Sequence, residues 1–170
     1  MDRLWTPWRY QYISGESGEN TSDRDASSDA SCIFCTLRQA DPAQDERNFI
    51  IHRARYNFIV LNLYPYTSGH LLVIPYEHTS ELDAAAKETT DELMDLTKRA
   101  QTVLRAAYRP EGFNLGMNLG SAAGAGVAGH IHLHIMPRWA GDANFMSTVG
   151  ETRVLPEDLP TTYKRLHGQF

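Results

Sequence analysis

An α+β fold, with an antiparallel sheet and one long helix packed on it, is what this 170-residue chain predicts. Apolar and β-branched runs of strand length recur at 48–55, 56–64, 70–78, 113–120 and 130–137. The first three are joined by hairpin-length connections, which points to antiparallel pairing rather than a doubly wound parallel sheet. Between the third run and the fourth, Leu93, Leu96, Ala100, Val103, Leu104 and Ala107 recur at helical spacing, so one face of a long helix packs on the sheet.

In chain order, "MDRLWTPWRY" lacks the continuous apolar stretch of a signal peptide. Its Trp5, Trp8 and Tyr10 predict an ordered arm packed on the body. Residues 14–31 are almost all Ser, Gly, Asp, Glu, Asn and Thr, and read as a flexible acidic loop because they bury too little apolar area to offset their ordering entropy. The core begins near Cys32. "NFIIHRAR" and "YNFIVLNLY" are strands, "YPYTSG" a turn, and "HLLVIPYEH" a third strand that ends near Pro75. Thr79 or Ser80 is the expected N-cap of the long helix, and Pro110 and Gly112 end it. "FNLGMNLG" is a further strand, "SAAGAGVAG" a small flexible loop, and "HIHLHIMP" the last core strand. "DLPTTYKRLHGQF" reads as a short surface helix in which His167 has no special role. The expected division is an arm and loop over 1–31, one domain over 32–146 and an extension over 147–170.

Hydrophobic residues make up 42% and charged residues 22%, as in an ordinary globular domain. The net charge of −5 argues against a nucleic-acid or membrane-surface binder, which needs a basic face, but leaves room for a small phosphate ligand in a local pocket. No run is long and apolar enough to span a membrane, and the expected compartment is the cytoplasm. There a structural disulfide is not expected, so the two cysteines, Cys32 and Cys35 in "CIFC", are left with redox or metal chemistry.

The segment "HIHLHIMPRW" holds three of the seven histidines. On a strand, His130, His132 and His134 share one face, about 6–7 Å apart, while Ile131, Leu133 and Ile135 point into the core. Two chemical uses remain open: a metal site with several histidine ligands, or nucleophilic catalysis in which one imidazole attacks and its neighbours position and protonate. Just upstream, Gly120, Gly124, Gly126 and Gly129 let backbone N–H groups approach an anion closely. A backbone cradle followed at once by a nucleophile suits phosphoryl or nucleotidyl transfer.

His-Ile-His-Leu-His-Ile-Met at 130–136 resembles the histidine-triad (HIT) motif, His-φ-His-φ-His-φ-φ, of a superfamily of nucleotide hydrolases and nucleotidyl transferases. "GHLLVIPYEH" at 69–78 is similar to the family's second signature strand, and "CIFC" to the cysteine pair of its zinc-containing bacterial members. The likeness covers roughly residues 32–146. "LWTPWRY", "LNLYPYTSGHLLVIPY", "GFNLGMNLGSAAGAG" and "HIMPRWAGDANF" resemble the branch that contains the actinobacterial diadenosine-tetraphosphate phosphorylase.

The resemblance implies a HIT-like sheet and a set of roles. His132 would be the nucleophile that forms a covalent nucleotidyl-imidazole, for which a neutral ring nitrogen near pH 7 is suited. His134 would contact the phosphate or the leaving oxygen, and His70 would support the triad from the neighbouring strand. Asn62 would bind ribose hydroxyls, and an amide can both donate and accept there. Val60, Leu61 and Leu63 are apolar candidates for a base pocket, most of them core. Asn118, Ser121, Gly124, Ala125 and Gly126 would line the phosphate. Many relatives carry Gln or Ser where this chain has Gly126, so backbone N–H groups or the Ser121 hydroxyl must substitute, leaving room for a second anion such as inorganic phosphate. Cys32, Cys35, His78 and His130 would hold a structural zinc ion in a Cys2His2 set that also orients His132. Family members are homodimers that pair through the long helix and an added strand. Other readings remain: a general nucleoside phosphoramidate or mononucleotide hydrolase, a nucleotide-binding partner protein, or a catalytic metal held by the three histidines.

Overall fold

The computed structural model describes residues 32–152 and 154–170. The aromatic arm and acidic loop expected over 1–31 lie outside the described residues. The chain forms a helix α1 (Ile33–Gln39), strands β1 (Ile50–Arg53), β2 (Asn57–Leu61) and β3 (Leu71–Pro75), and the long helix α2 (Lys87–Tyr108). Strands β4 (Gly112–Gly116) and β5 (Leu133–Arg138) follow, then helices α3 (Phe145–Thr148) and α4 (Leu159–Leu166). The five strands make one antiparallel sheet in the order β1-β2-β3-β5-β4, so the expected α+β architecture is the observed one.

Strands β2 and β3 are buried at every position, because both faces of the sheet are covered. One face presents Ile59, Leu61, Leu71, Val73, Leu133 and Ile135 to α2, whose Leu93, Leu96, Ala100, Val103 and Leu104 lie in the same core. The other face presents Ile50, Phe58, Val60, Leu72 and Ile74 to α1, which contributes Phe34 and Cys35 and is preceded by Cys32. His134 pairs with Leu72 and therefore belongs to this second face.

Several boundaries differ from the sequence expectation, each for a physical reason. Helix α2 starts at Lys87, not after Thr79 or Ser80. The cap comes from Glu77 instead: its carboxylate accepts from the Ala86 N–H (3.1 Å) and the Thr89 hydroxyl (3.2 Å). Thr79 is used otherwise, its carbonyl accepting from the Ile131 N–H at 2.8 Å, which ties the histidine segment to the end of β3. The end of α2 falls as expected, with Arg109 in the left-handed region (φ 49°) before Pro110. The last strand begins at Leu133, so His130 and His132 sit in its lead-in, outside the hydrogen-bonded ladder. The "FNLGMNLG" strand shortens to Gly112–Gly116, and the following loop contains one 3-10 turn, Ser121–Ala123.

The C-terminal helix is not a surface element. Tyr163 and Leu166 of α4 are 4% and 0% exposed and join the core beneath α2. His167 stacks on Tyr163, centroids 4.9 Å apart.

Candidate functional site

Three histidines in alternation put their rings on one side, but the structure separates their tasks. His130 is fully buried, His132 is 5% exposed and His134 half-buried. The imidazole side is therefore no open row. Phe34 of α1 packs edge-on to His130 (5.5 Å, 88°) and tilted against His132 (5.0 Å, 58°).

At the inner end, four ligand atoms from Cys32, Cys35, His78 and His130 all lie within 4.8 Å of one another. The thiol of Cys32 is 3.4 Å from His130 Nδ1, and that of Cys35 is 3.2 Å from His78 Nδ1 and 3.6 Å from His130 Nδ1. Sulfur and nitrogen ligands at zinc bond lengths on a tetrahedron stand roughly 3.5 Å apart, close to the spacing of these residues, so the set fits such an ion. The tautomer fits as well. His130 Nε2–H donates to the Pro75 carbonyl at 2.9 Å, which leaves the Nδ1 lone pair aimed at the thiols. The cysteine pair does open a helix, as a thioredoxin-type motif would, but the convergence of two imidazoles on it identifies a metal site. Among the described residues it is the one cluster of three or more such side chains that could hold an ion. The three triad imidazoles do not converge on a common point, which removes the catalytic-metal reading.

Helix α1 is short, and one side chain that sequence reasoning missed ties its C-terminal end to β1. The Arg53 guanidinium pairs with Asp45 (Nε–Oδ2 3.0 Å, Nη2–Oδ1 2.8 Å) and donates to the carbonyls of Leu37, Arg38 and Ala40 at the helix end. No spacing in the sequence marks Arg53 for this.

At the centre, His132 Nδ1 lies 2.9 Å from the His130 carbonyl. A carbonyl only accepts, so Nδ1 carries the proton and Nε2 presents a lone pair. At the outer end, a relay sets the next ring. The Tyr66 N–H (3.1 Å) and the Asn62 amide (3.3 Å) both donate to His70 Nδ1. His70 Nε2–H then donates to His134 Nδ1 at 2.9 Å, which leaves His134 with an outward Nε2–H donor. The rings are kept neutral. Burial pulls His70 down to about 3, helped by the neighbouring His134 and His132. Burial, then His132, brings His134 to about 4. Burial also lowers His132, opposed by its bond to the His130 carbonyl. The structure thus brings His70, His132 and His134 together, and adds Tyr66, whose ring stacks on His134 (6.3 Å, 14°).

The other expected contacts are dispersed. Asn62 Oδ1 accepts from the Tyr64 N–H, so that amide already braces the turn before His70. Val60 and Leu61 are core, while Leu63 is 53% exposed and lines a separate cleft with the segment 155–161. Asn118 donates to the Gly124 carbonyl at 3.2 Å and shapes the loop. Gly120 and Gly124 have φ of 78° and 84°, conformations that disfavour side chains. Ser121, Gly124 and Gly126 are exposed and Ala125 half-buried; a Cβ on Gly126 would meet nothing within 4 Å.

A family model described as the HIT domain matches residues 43–141. The chain is 41% identical to AP-4-A phosphorylase of Mycobacterium tuberculosis, across all of this chain and 85% of that protein. It is 29% identical to an adenosine 5'-monophosphoramidase of Saccharomyces cerevisiae, over 66% of each chain. Its fold is similar to a crystal structure of a Zn-bound histidine triad family protein from Mycobacterium smegmatis: TM-score 0.66, 28% identity, 84% of this chain and 94% of that one.

Proposed function

The chain belongs to the HIT-domain family, and on that premise we propose that it is a nucleotidyl-transferring enzyme that cleaves dinucleoside polyphosphates, using inorganic phosphate as acceptor. The observation that carries the chemistry is the His132 ring, buried, neutral and held at Nδ1 by a backbone carbonyl. In the first step Nε2 attacks the α-phosphorus, the bond to the bridging oxygen breaks, and that oxygen leaves with the electron pair. The His134 Nε2–H faces the same region and supports charge on the phosphate or leaving oxygen. The His130 carbonyl steadies the positive imidazole of the nucleotidyl-histidine. A phosphate oxygen then attacks the same phosphorus, the P–N bond breaks, and neutral His132 is restored.

The phosphorolytic choice is supported by the likeness to the M. tuberculosis enzyme and by the loop at 120–129. With glycine at 126 and open space where its side chain would be, a second anion has room beside backbone N–H groups. Ser121 and Ala125 belong to that lining, Asn118 shapes it, and Asn62, whose amide also braces the turn before His70, is kept with Leu63 as a nucleoside contact on the family likeness. The catalytic unit is drawn over 32–146. Zinc in the Cys2His2 set, when bound, supplies a rigid clip between α1 and the histidine segment. A homodimer is supported by β4, an edge strand with Leu115 exposed.

No described helix is long and apolar enough to cross a membrane. Product analysis with diadenosine tetraphosphate tests the reading. ADP plus ATP, formed only when phosphate is present, is the expected result. Phosphate-independent AMP plus ATP would make the protein a hydrolase, and turnover of a nucleoside phosphoramidate alone would assign the smaller substrate class.

A further inference from the structure

One residue in the turn between β2 and β3 touches the histidine relay twice. The turn itself is tightly held. The Asn62 N–H donates to the His70 carbonyl at 3.0 Å, and the His70 N–H to the Thr67 carbonyl at 3.3 Å. Gly69 takes a φ of 74°, and a Cβ there would stand 3.0 Å from the Leu104 side chain and 3.2 Å from that of Tyr108, so the turn sits close against α2. Tyr66 is carried by this turn and contributes first through its backbone. Its N–H donates to His70 Nδ1 at 3.1 Å, which keeps that nitrogen unprotonated and places the proton on Nε2.

The Tyr66 ring contributes second. Its centroid lies 5.0 Å from that of His70 and 6.3 Å from that of His134, nearly parallel to the latter at 14°. Exposure grades across the three rings: His70 is 1% exposed, His134 half-buried and Tyr66 51% exposed. Tyr66 is thus the outermost ring, packed on both partners of the bond from His70 Nε2–H to His134 Nδ1 at 2.9 Å. Water reaching that bond would compete for its donor and its acceptor. Shielded from water, the bond is stronger and holds one geometry. Without it, His134 can turn or exchange tautomer, and its outward Nε2–H is no longer fixed.

We propose that Tyr66 is a positioning residue for leaving-group departure: its ring roofs the His70–His134 hydrogen bond, so that His134 keeps an Nε2–H donor toward the oxygen that leaves. The use of that donor rests on the enzymatic reading above. The roof itself rests only on the packing of the three rings and can be measured without substrate.

The first measurement is therefore a proton spectrum. The His70 Nε2 proton should give a resolved signal, slow to exchange with water, in the wild type and in Tyr66→Phe, and the signal should be lost to exchange in Tyr66→Ala. The second measurement uses AMP esterified with phenol or with 4-nitrophenol, two leaving oxygens of different basicity on the same α-phosphorus, with inorganic phosphate present. Tyr66→Ala should lose about tenfold in kcat/KM on the phenyl ester and less than about threefold on the nitrophenyl ester, whose oxygen needs less support. Its affinity for AMP should equal that of the wild type, and Tyr66→Phe should match the wild type throughout. Equal losses on the two esters overturn the proposal, because a general disturbance of the fold gives that result. Weakened AMP binding with an unchanged ratio between the esters overturns it too, since Tyr66 would then be a substrate contact. A loss in Tyr66→Phe as large as in Tyr66→Ala would assign the effect to the hydroxyl and not the ring. A wild type without the proton signal has no sheltered bond, which also ends the proposal. If the wild type turns over neither ester nor diadenosine tetraphosphate, the enzymatic reading fails and takes the leaving-group role with it. That failure is visible before any variant is made.

Discussion

The two faces of the sheet are made by the same alternating strands yet are closed by opposite means. Helix α2 covers one face with 22 residues and a continuous apolar stripe. Helix α1 covers the other with seven residues, of which Phe34 and Cys35 are buried. So small a helix buries too little apolar surface to hold itself in place, and it is stapled by Arg53, Asp45 and four metal-competent side chains. The stapled face carries the triad histidines. A side chain that must present a lone pair at a set angle is better held by hydrogen bonds and ligand geometry than by apolar packing, which is not directional.

Mutations that separate the faces sharpen this contrast. The largest effect is expected for His132→Ala: turnover should drop at least about 10³-fold while the melting temperature stays near that of the wild type. Retained turnover would break the covalent mechanism. On the opposite face, Leu104→Ala should cost about 2–5 kcal/mol of stability, read by denaturant titration, while kcat of the folded fraction is preserved. A loss of kcat there would show that the two faces are not independent.

Between these lies Cys35→Ser, or chelation of the wild type. Metal content should fall from one zinc per chain, hydrogen-exchange protection over 33–39 should drop, and the loss of stability should be smaller than for Leu104→Ala. Protein purified without chelator that holds well under one zinc per chain would remove the staple from the comparison.

The smallest effect is a pH dependence confined to the histidine face. His70 and His134 are pulled down to about 3 and about 4 from a model-peptide 6.5, so the unfolded chain binds their protons more readily than the native one. Their contribution to stability is therefore complete above pH 6.5 and is lost as the pH falls toward 4 and 3. Stability should therefore decline with acid across that window, His70 contributing more than the partly exposed His134, whose shift is screened by solvent. His70→Asn should flatten the profile between pH 6.5 and 4. An identical profile would show that His70 is not held neutral by burial.

Periodicity and composition determined much of this molecule without coordinates. The spacing from Leu93 to Ala107 defined the face of α2, and hairpin-length connections defined an antiparallel sheet. The three alternate histidines and the cysteine pair marked the chemistry. These are local signals, carried by a repeat of 2.0 or 3.6 residues or by rare residue types. Only the tertiary structure decided the rest. Glu77 displaced Thr79 and Ser80 at the start of α2, because its carboxylate reaches the Ala86 N–H and the Thr89 hydroxyl. Tyr163 and Leu166 turned a supposed surface helix into core, because α2 left them a place to pack. Asn118 and Asn62 spend donors on the Gly124 carbonyl and the His70 ring, bonds whose partners lie 6 and 8 residues away and follow no repeat. The tautomers of His70, His132 and His134 depend on which donors and acceptors, backbone and side chain, face them. A hydrogen bond is set by angles and distances between elements, and no one-dimensional pattern contains those.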